Sequence, residues 1–129
     1  MLEATYFNSW HYGVTFSSLE DGINIGAFDP DGFDILIQSP PDDIKVIGFY
    51  LICHDKTRLL RSLNREENPD VKEIIRRFTS DEEDFIDFEQ CVPDHNCILS
   101  NENEDDLIQN VVYITDYTNN IWSKINNDV

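Results

Sequence analysis

Positive charge is scarce in this chain and confined where it occurs. Nine Lys and Arg stand against 26 Asp and Glu, for a formal net charge of −17 at pH 7. Residues 1–44 carry eight acids and no Lys or Arg, residues 45–77 five acids and eight bases, and residues 78–129 thirteen acids and one base. A field of this sign repels nucleic acid and anionic membrane, attracts basic surfaces and speeds encounter with them. Direct nucleic-acid binding is therefore not expected, and a basic protein is the partner class that the charge selects.

Long apolar runs are also missing. None reaches the roughly 18 residues that span a bilayer, and Met1-Leu2-Glu3-Ala4-Thr5-Tyr6 has neither the basic nor the apolar region of a signal peptide. A cytoplasmic protein is the expectation. The three cysteines, Cys53, Cys91 and Cys97, cannot all pair within one chain, and without a mark of export reduced thiols are expected.

Catalytic signatures are absent too. The chain has no Gly-rich phosphate loop, Gly-x-Ser-x-Gly elbow, His-Glu-x-x-His or Cys-x-x-Cys, the short spacings that bring reactive groups or ligands onto one element. Cys91, His95 and Cys97, with Cys53-His54, have the ligand types zinc prefers but lack a close pair on a knuckle. The same thiols and imidazoles define the rival reading, a small metal- or thiol-dependent enzyme. Asp29, Asp31 and Asp34 around Gly32 resemble a calcium loop only in part, because Pro30 intrudes and no distal bidentate acid is in register. No catalytic residue, metal or cofactor is assigned, and the chain is read as a non-enzyme.

What is present is enough apolar material to fold. At 129 residues, 40% apolar and 12% aromatic, the chain is too rich in core-forming side chains for a disordered polyanion, and residues 1–129 are read as a single compact domain. In the first half, Trp10, Tyr12, Val14 and Phe16 alternate with His11, Gly13 and Thr15 in the period of a strand, and Ile23, Ile25 and Ala27 continue it. Asp29-Pro30-Asp31-Gly32 reads as a hairpin turn, Phe33–Gln38 as the returning strand, and the apolar run Ile44–Ile52 as a central strand covered on both faces.

The second half turns to helical spacing. Asp55 is placed as the cap of a helix carrying Leu59, Leu60 and Leu63 and ending near Asn64, and Asn68-Pro69 as the start of one carrying Val71, Ile74, Ile75 and Phe78. Residues 81–91 stay open between helix and strand, although Ser80-Asp81-Glu82-Glu83 resembles a capping box. After the acidic turn Glu104-Asp105-Asp106, a long C-terminal helix carries Leu107, Ile108, Val111, Val112, Thr115, Thr118, Ile121, Trp122 and Ile125. The expected fold is α+β: an N-terminal antiparallel sheet of four or five strands with two or three helices packed on one face, the C-terminal helix burying that stripe against the sheet.

Charge, size and the missing motifs together point to a small acidic protein that binds and neutralises a basic one. The most specific form is an immunity protein, the antidote that blocks a bacterial nuclease toxin, acting as a monomer or weak homodimer. A nucleic-acid mimic is the alternative, and the basic belt from Lys45 to Arg77 opposes it because a mimic needs one continuous negative surface. The candidate partner-binding residues are Asp42, Asp43, Asp81, Glu82, Glu83, Asp84, Glu102, Glu104, Asp105 and Asp106 as the steering rim, with Tyr113 and Tyr117 as anchors.

Overall fold

The computed structural model describes residues 3–7, 10–14, 16–86, 88 and 97–127. The chain is mostly helical and divides into two compact units, Met1–Gly48 and Phe49–Val129. Its strands form two separate two-stranded sheets, so the four- or five-stranded antiparallel sheet expected from the sequence is not formed among the described residues.

In the first unit, strand β1 (Glu3–Phe7) pairs antiparallel with β2 (Trp10–Val14), with Phe7 opposite Trp10 and Glu3 opposite Val14. A 3-10 turn at Phe16–Ser18 follows. The next expected strand is not one. Ile23 and Ile25 are exposed, Ile25 at 94%, and local bonds shape the segment instead: Asn24 Oδ1 accepts from the Glu20 amide at 3.0 Å and Asn24 Nδ2 donates to the Glu20 carbonyl at 2.8 Å. Such side-chain to backbone bonds compete with strand pairing.

The predicted turn and returning strand at 29–38 are a helix, α1 (Pro30–Gln38). Asp29 is its N-cap: its side chain accepts the Gly32 amide at 2.8 Å and its carbonyl the Phe33 amide at 3.0 Å. Pro30 stands at the first helical position, where its missing N–H costs nothing. Pro30, Gly32 and Leu36 are buried, and α1 lies against β1. The Phe33 ring closes on Gly48 so tightly that no Cβ would fit there.

The second unit is built on a crossover. Of the expected strand Ile44–Ile52, only β3 (Tyr50–Ile52) pairs, and its partner is β4 (Ile98–Ser100), in parallel: Tyr50 opposite Ile98 and Ile52 opposite Ser100. Parallel partners need a long connection, here containing α2 (Asp55–Asn64) and α3 (Val71–Asp84), which lie side by side. Asp55 is in the first turn of α2, with His54 at the cap position, and the helix ends at Asn64 as expected. The cap of α3 is Asp70, two residues past Asn68; its carboxylate accepts the Glu73 amide at 3.1 Å. The helix runs on through Asp84, so the acids from Asp81 lie in its last turn and the resemblance to a helix-starting box there is not realised. Of the rest of the segment left open, Phe85 and Ile86 form a turn, while residues 87 and 89–91 lie outside the described residues.

The last helix, α4 (Glu104–Asn127), is present as expected. Its packing differs. The residues turned inward are Tyr113, Ile114, Tyr117, Thr118 and Ile121, whereas Leu107, Ile108, Val111, Val112, Trp122 and Ile125 remain 41–58% exposed. The expected burial of the Leu, Ile, Val and Trp stripe against a sheet is thus overturned, because a two-stranded sheet of three-residue strands has too little surface to cover it.

Aromatic contacts fill the interior of this unit. Phe49 meets Tyr117 and Tyr113 edge-on, with ring centroids 5.6 and 6.4 Å apart. Tyr50 stacks on Phe85 at 5.6 Å and meets Phe88 edge-on at 4.9 Å. Such pairs contribute about 0.5–1.5 kcal/mol each beyond the area they bury.

Candidate docking surface

The expected acidic rim divides by position. In the first unit, Asp42 and Asp43 occupy an exposed turn in which the Ile44 amide donates to the Pro41 carbonyl at 3.2 Å and Asp43 has φ of 65°. A left-handed backbone is one that Asp tolerates better than most residues. All other candidate residues belong to the second unit.

Asp81, Glu82, Glu83 and Asp84 are all exposed in the last turn of α3, which contains no basic residue. Glu82 reaches Arg58 of α2 at 2.9 Å, and the Arg58 guanidinium lies 4.1 Å over the Phe78 ring. The remaining carboxylates face the negative end of the helix dipole, an unfavourable place for an anion.

Glu102 is used differently from its neighbours. Its carboxylate accepts the Thr57 hydroxyl and the His54 amide, the latter at 2.7 Å, and its Oε2 lies 3.1 Å from His54 Nδ1. The Thr57 hydroxyl first, then the His54 amide, hold the Glu102 carboxyl below its ordinary range. Arg61 donates to the carbonyls of Asn101 and Glu102 at 2.7 and 2.9 Å. Together these contacts fasten α2 to the segment entering α4.

Asp106 is also engaged locally. It accepts the Ser100 hydroxyl and the Glu102 amide, each at 2.9 Å, while Asn103 Oδ1 accepts the Asp106 amide at 2.9 Å. This reciprocal arrangement is a variant of a capping box, with the carboxylate bonding one residue before the cap. Glu104 and Asp105, between them, stay exposed. So among the candidate acids of this unit, those ending α3 and the first two of α4 are exposed, while Glu102 and Asp106 hold the scaffold together. Tyr113 and Tyr117, the expected anchors, are half-buried with their rings against Phe49.

The basic belt is partly consumed inside this unit. Arg58 and Arg61 take the partners just described, and Arg76 and Arg77 both converge on Glu73, at 2.7 and 2.8 Å. Their hydrogen bonds, that of Arg76 first, draw the Glu73 carboxyl down to about 2, and Glu73 in turn raises the Arg76 guanidinium. An open groove of about 460 Å³ along α2 is lined by Thr57, Leu60, Arg61, Asn64 and Arg65, a largely polar and cationic lining.

Of the residues considered for metal or thiol chemistry, Cys97 is buried and Cys53 half-buried. Cys91 and His95 lie outside the described residues. Among the described residues no three His, Cys, Asp or Glu side chains gather to hold a metal, and Asp29, in the partial calcium pattern, is a helix cap. No described helix is long and apolar enough to cross a membrane.

The exposed stripe on α4 is the feature the sequence reading placed wrongly. Fully burying one such side chain is worth about 1.5–3 kcal/mol, so each one left half in water forgoes about 1 kcal/mol. A sequence signal for it exists: apolar residues cover more than half the circumference of α4, with Tyr113, Ile114 and Ile121 on one side and Leu107, Val111 and Trp122 on the next. A helix with that much apolar surface has more to bury than one neighbour can take. Comparisons with family models, with curated proteins and with solved structures return no match.

Proposed function

We propose that this chain is an acidic binding protein that docks onto a basic protein and blocks it, and that the blocked protein is a nuclease toxin to which the chain gives immunity inside a bacterial cell. One observation carries the reading: in a chain of net charge −17, four exposed carboxylates, Asp81 to Asp84, gather in the last turn of α3, where Glu82 meets Arg58 and the helix dipole disfavours negative charge. The free molecule tolerates an electrostatic cost that a cationic surface would relieve. Glu104 and Asp105 add to the same outward charge.

A nuclease cleft is positive because it must hold phosphates, so it attracts an acidic surface of this kind. The carboxylates steer the encounter and raise the association rate, and occupation of the cleft excludes substrate. No bond-making step is asked of the chain, and a cytosolic antidote of this size would protect the cell that makes the toxin.

The test is inhibition of purified basic nuclease domains, followed by association kinetics at several salt concentrations. Stoichiometric inhibition is expected, with an association rate that falls steeply as salt rises while dissociation changes little. Replacing Asp81, Glu82, Glu83 and Asp84 together by their amides should slow association and leave the fold intact. Weak binding that is indifferent to salt, across all such nucleases, overturns the proposal.

A further inference from the structure

We infer that the outward face of α4 is the seat of a basic amphipathic helix presented by the partner protein. This deepens the reading of the partner as basic and rests on it. Carboxylates steer, but surface charge alone gives little lasting affinity, so a tight complex needs an apolar contact as well. The second unit offers one in Leu107, Ile108, Val111, Val112, Trp122 and Ile125, all substantially exposed along one side of a single helix.

The geometry of α4 limits what can lie there. From Leu107 to Ile125 the stripe runs about 27 Å at the rise of an α-helix. It follows one side of the helix, with exposed Thr115 and Asn119 between Val112 and Trp122, and a helical side of this kind takes another helix whose apolar residues recur at three- and four-residue spacing. At about 100° per residue, Asp105 and Asp116 fall along the edge beside Val112, and Glu104 closes the N-terminal end; all three are exposed. The stripe itself carries no charge. Its complement is therefore an apolar stripe flanked by Lys or Arg. A second copy of this chain would bring two molecules of net charge −17 together, and an anionic lipid surface would meet the same acids, so both are disfavoured relative to a basic helix.

The partner helix can be represented by a fluorescent Leu/Lys peptide of about 18 residues, long enough to match the stripe. Its control is a scramble of identical composition, with the same charge but no apolar face. Anisotropy titrations against the full chain should show the patterned peptide binding about tenfold tighter or better, a difference on the scale of one interface anchor. Val111→Asp should abolish that preference, although the added carboxylate strengthens the attraction for lysine. Val112→Asn should reduce it, and circular dichroism should show both variants folded.

Equal binding of the two peptides overturns the inference while leaving a basic partner in place, because charge alone then accounts for the affinity. Failure of both to bind removes the basic partner as well. An unchanged preference in Val111→Asp overturns the inference, as does a concentration-dependent doubling of mass in sedimentation that Val111→Asp abolishes, which would assign the face to a second copy.

Discussion

The two apolar sides of α4 are made of similar residues and meet opposite fates. Tyr113, Ile114, Tyr117 and Ile121 turn toward Phe49 and the interior, while Leu107, Val111, Val112 and Trp122 remain in solvent. Hydrophobicity alone does not separate them; what does is whether a partner of the right length lies opposite. Phe49 supplies one for the inner side, standing directly before β3. Three-residue strands supply none for the outer side. The acids divide in the same manner, Glu102 and Asp106 bonded within the scaffold and Glu104 and Asp105 presented to water.

The sharpest way to break this contrast is to remove the inner partner. Phe49→Ala deletes the ring that both tyrosines meet, and for a half-buried aromatic it should destabilise the second unit by about 3 kcal/mol. Urea unfolding followed by tyrosine and tryptophan fluorescence measures it. A loss of under about 0.5 kcal/mol, the size of a plain surface change, would mean that the inner side is no better packed than the outer. Next in size is Asp106→Ala. That carboxylate holds the Ser100 hydroxyl and the Glu102 amide at the head of α4, and its removal should cost about 1 kcal/mol, as loss of a helix cap does. Asp105→Ala, one residue away and exposed, should change stability little.

How much of this was legible in the sequence follows from the range of each interaction. The spacing of Leu59, Leu60 and Leu63, of Val71, Ile74 and Ile75, and of the α4 residues marks helices because it is repeated over several turns. The stretch 29–38 was ambiguous: Phe33, Ile35 and Ile37 have the period of a strand, and Phe33, Leu36 and Ile37 that of a helix. Asp29-Pro30 does not decide it from sequence, since an oxygen-bearing residue followed by proline caps a helix as readily as it opens a turn; the bond from the Gly32 amide to the Asp29 carboxylate makes it a cap. Parallel pairing of Tyr50–Ile52 with Ile98–Ser100 leaves no local trace, because a long connection that includes α2 and α3 separates the partners. The candidate site was legible as charge but not as use. Nothing near Glu102 distinguishes it from Glu104, since the groups that engage it, His54 and Thr57, are supplied by the start of α2.

Acid sharpens the division among carboxylates. The folded chain holds Glu73 down to about 2 against an ordinary 4.5, through Arg76 and Arg77, and holds Glu102 low through Thr57 and His54. A carboxyl depressed in the folded state adds stability above its unfolded pKa and loses it as pH falls toward the folded value. The second unit should therefore lose helicity progressively from about pH 4.5 toward pH 2. The double variant Glu73→Gln, Glu102→Gln lacks both linkages and should start less stable but decline less over that window. Parallel curves for the two proteins in far-ultraviolet circular dichroism would show that these pairs contribute nothing to the acid response.

The smallest effect is expected on the outer side of α4, and its smallness is what makes it informative. Val111 is 58% exposed, so Val111→Ser removes a side chain that already meets water and should shift the unfolding midpoint by no more than about 0.5 kcal/mol. On the inner side, Ile114→Ser exchanges a similar side chain on the same helix but takes away packing and leaves a hydroxyl to be satisfied, so it should cost several times as much. Denaturation of the two variants side by side compares the faces directly. Equal losses would mean that the outer stripe is covered in solution by the molecule itself, and a surface already covered has no room for a partner. A neutral Val111→Ser beside a damaging Ile114→Ser leaves the outer stripe with no role in the stability of the free chain, which is the condition a binding surface must meet before it can bind.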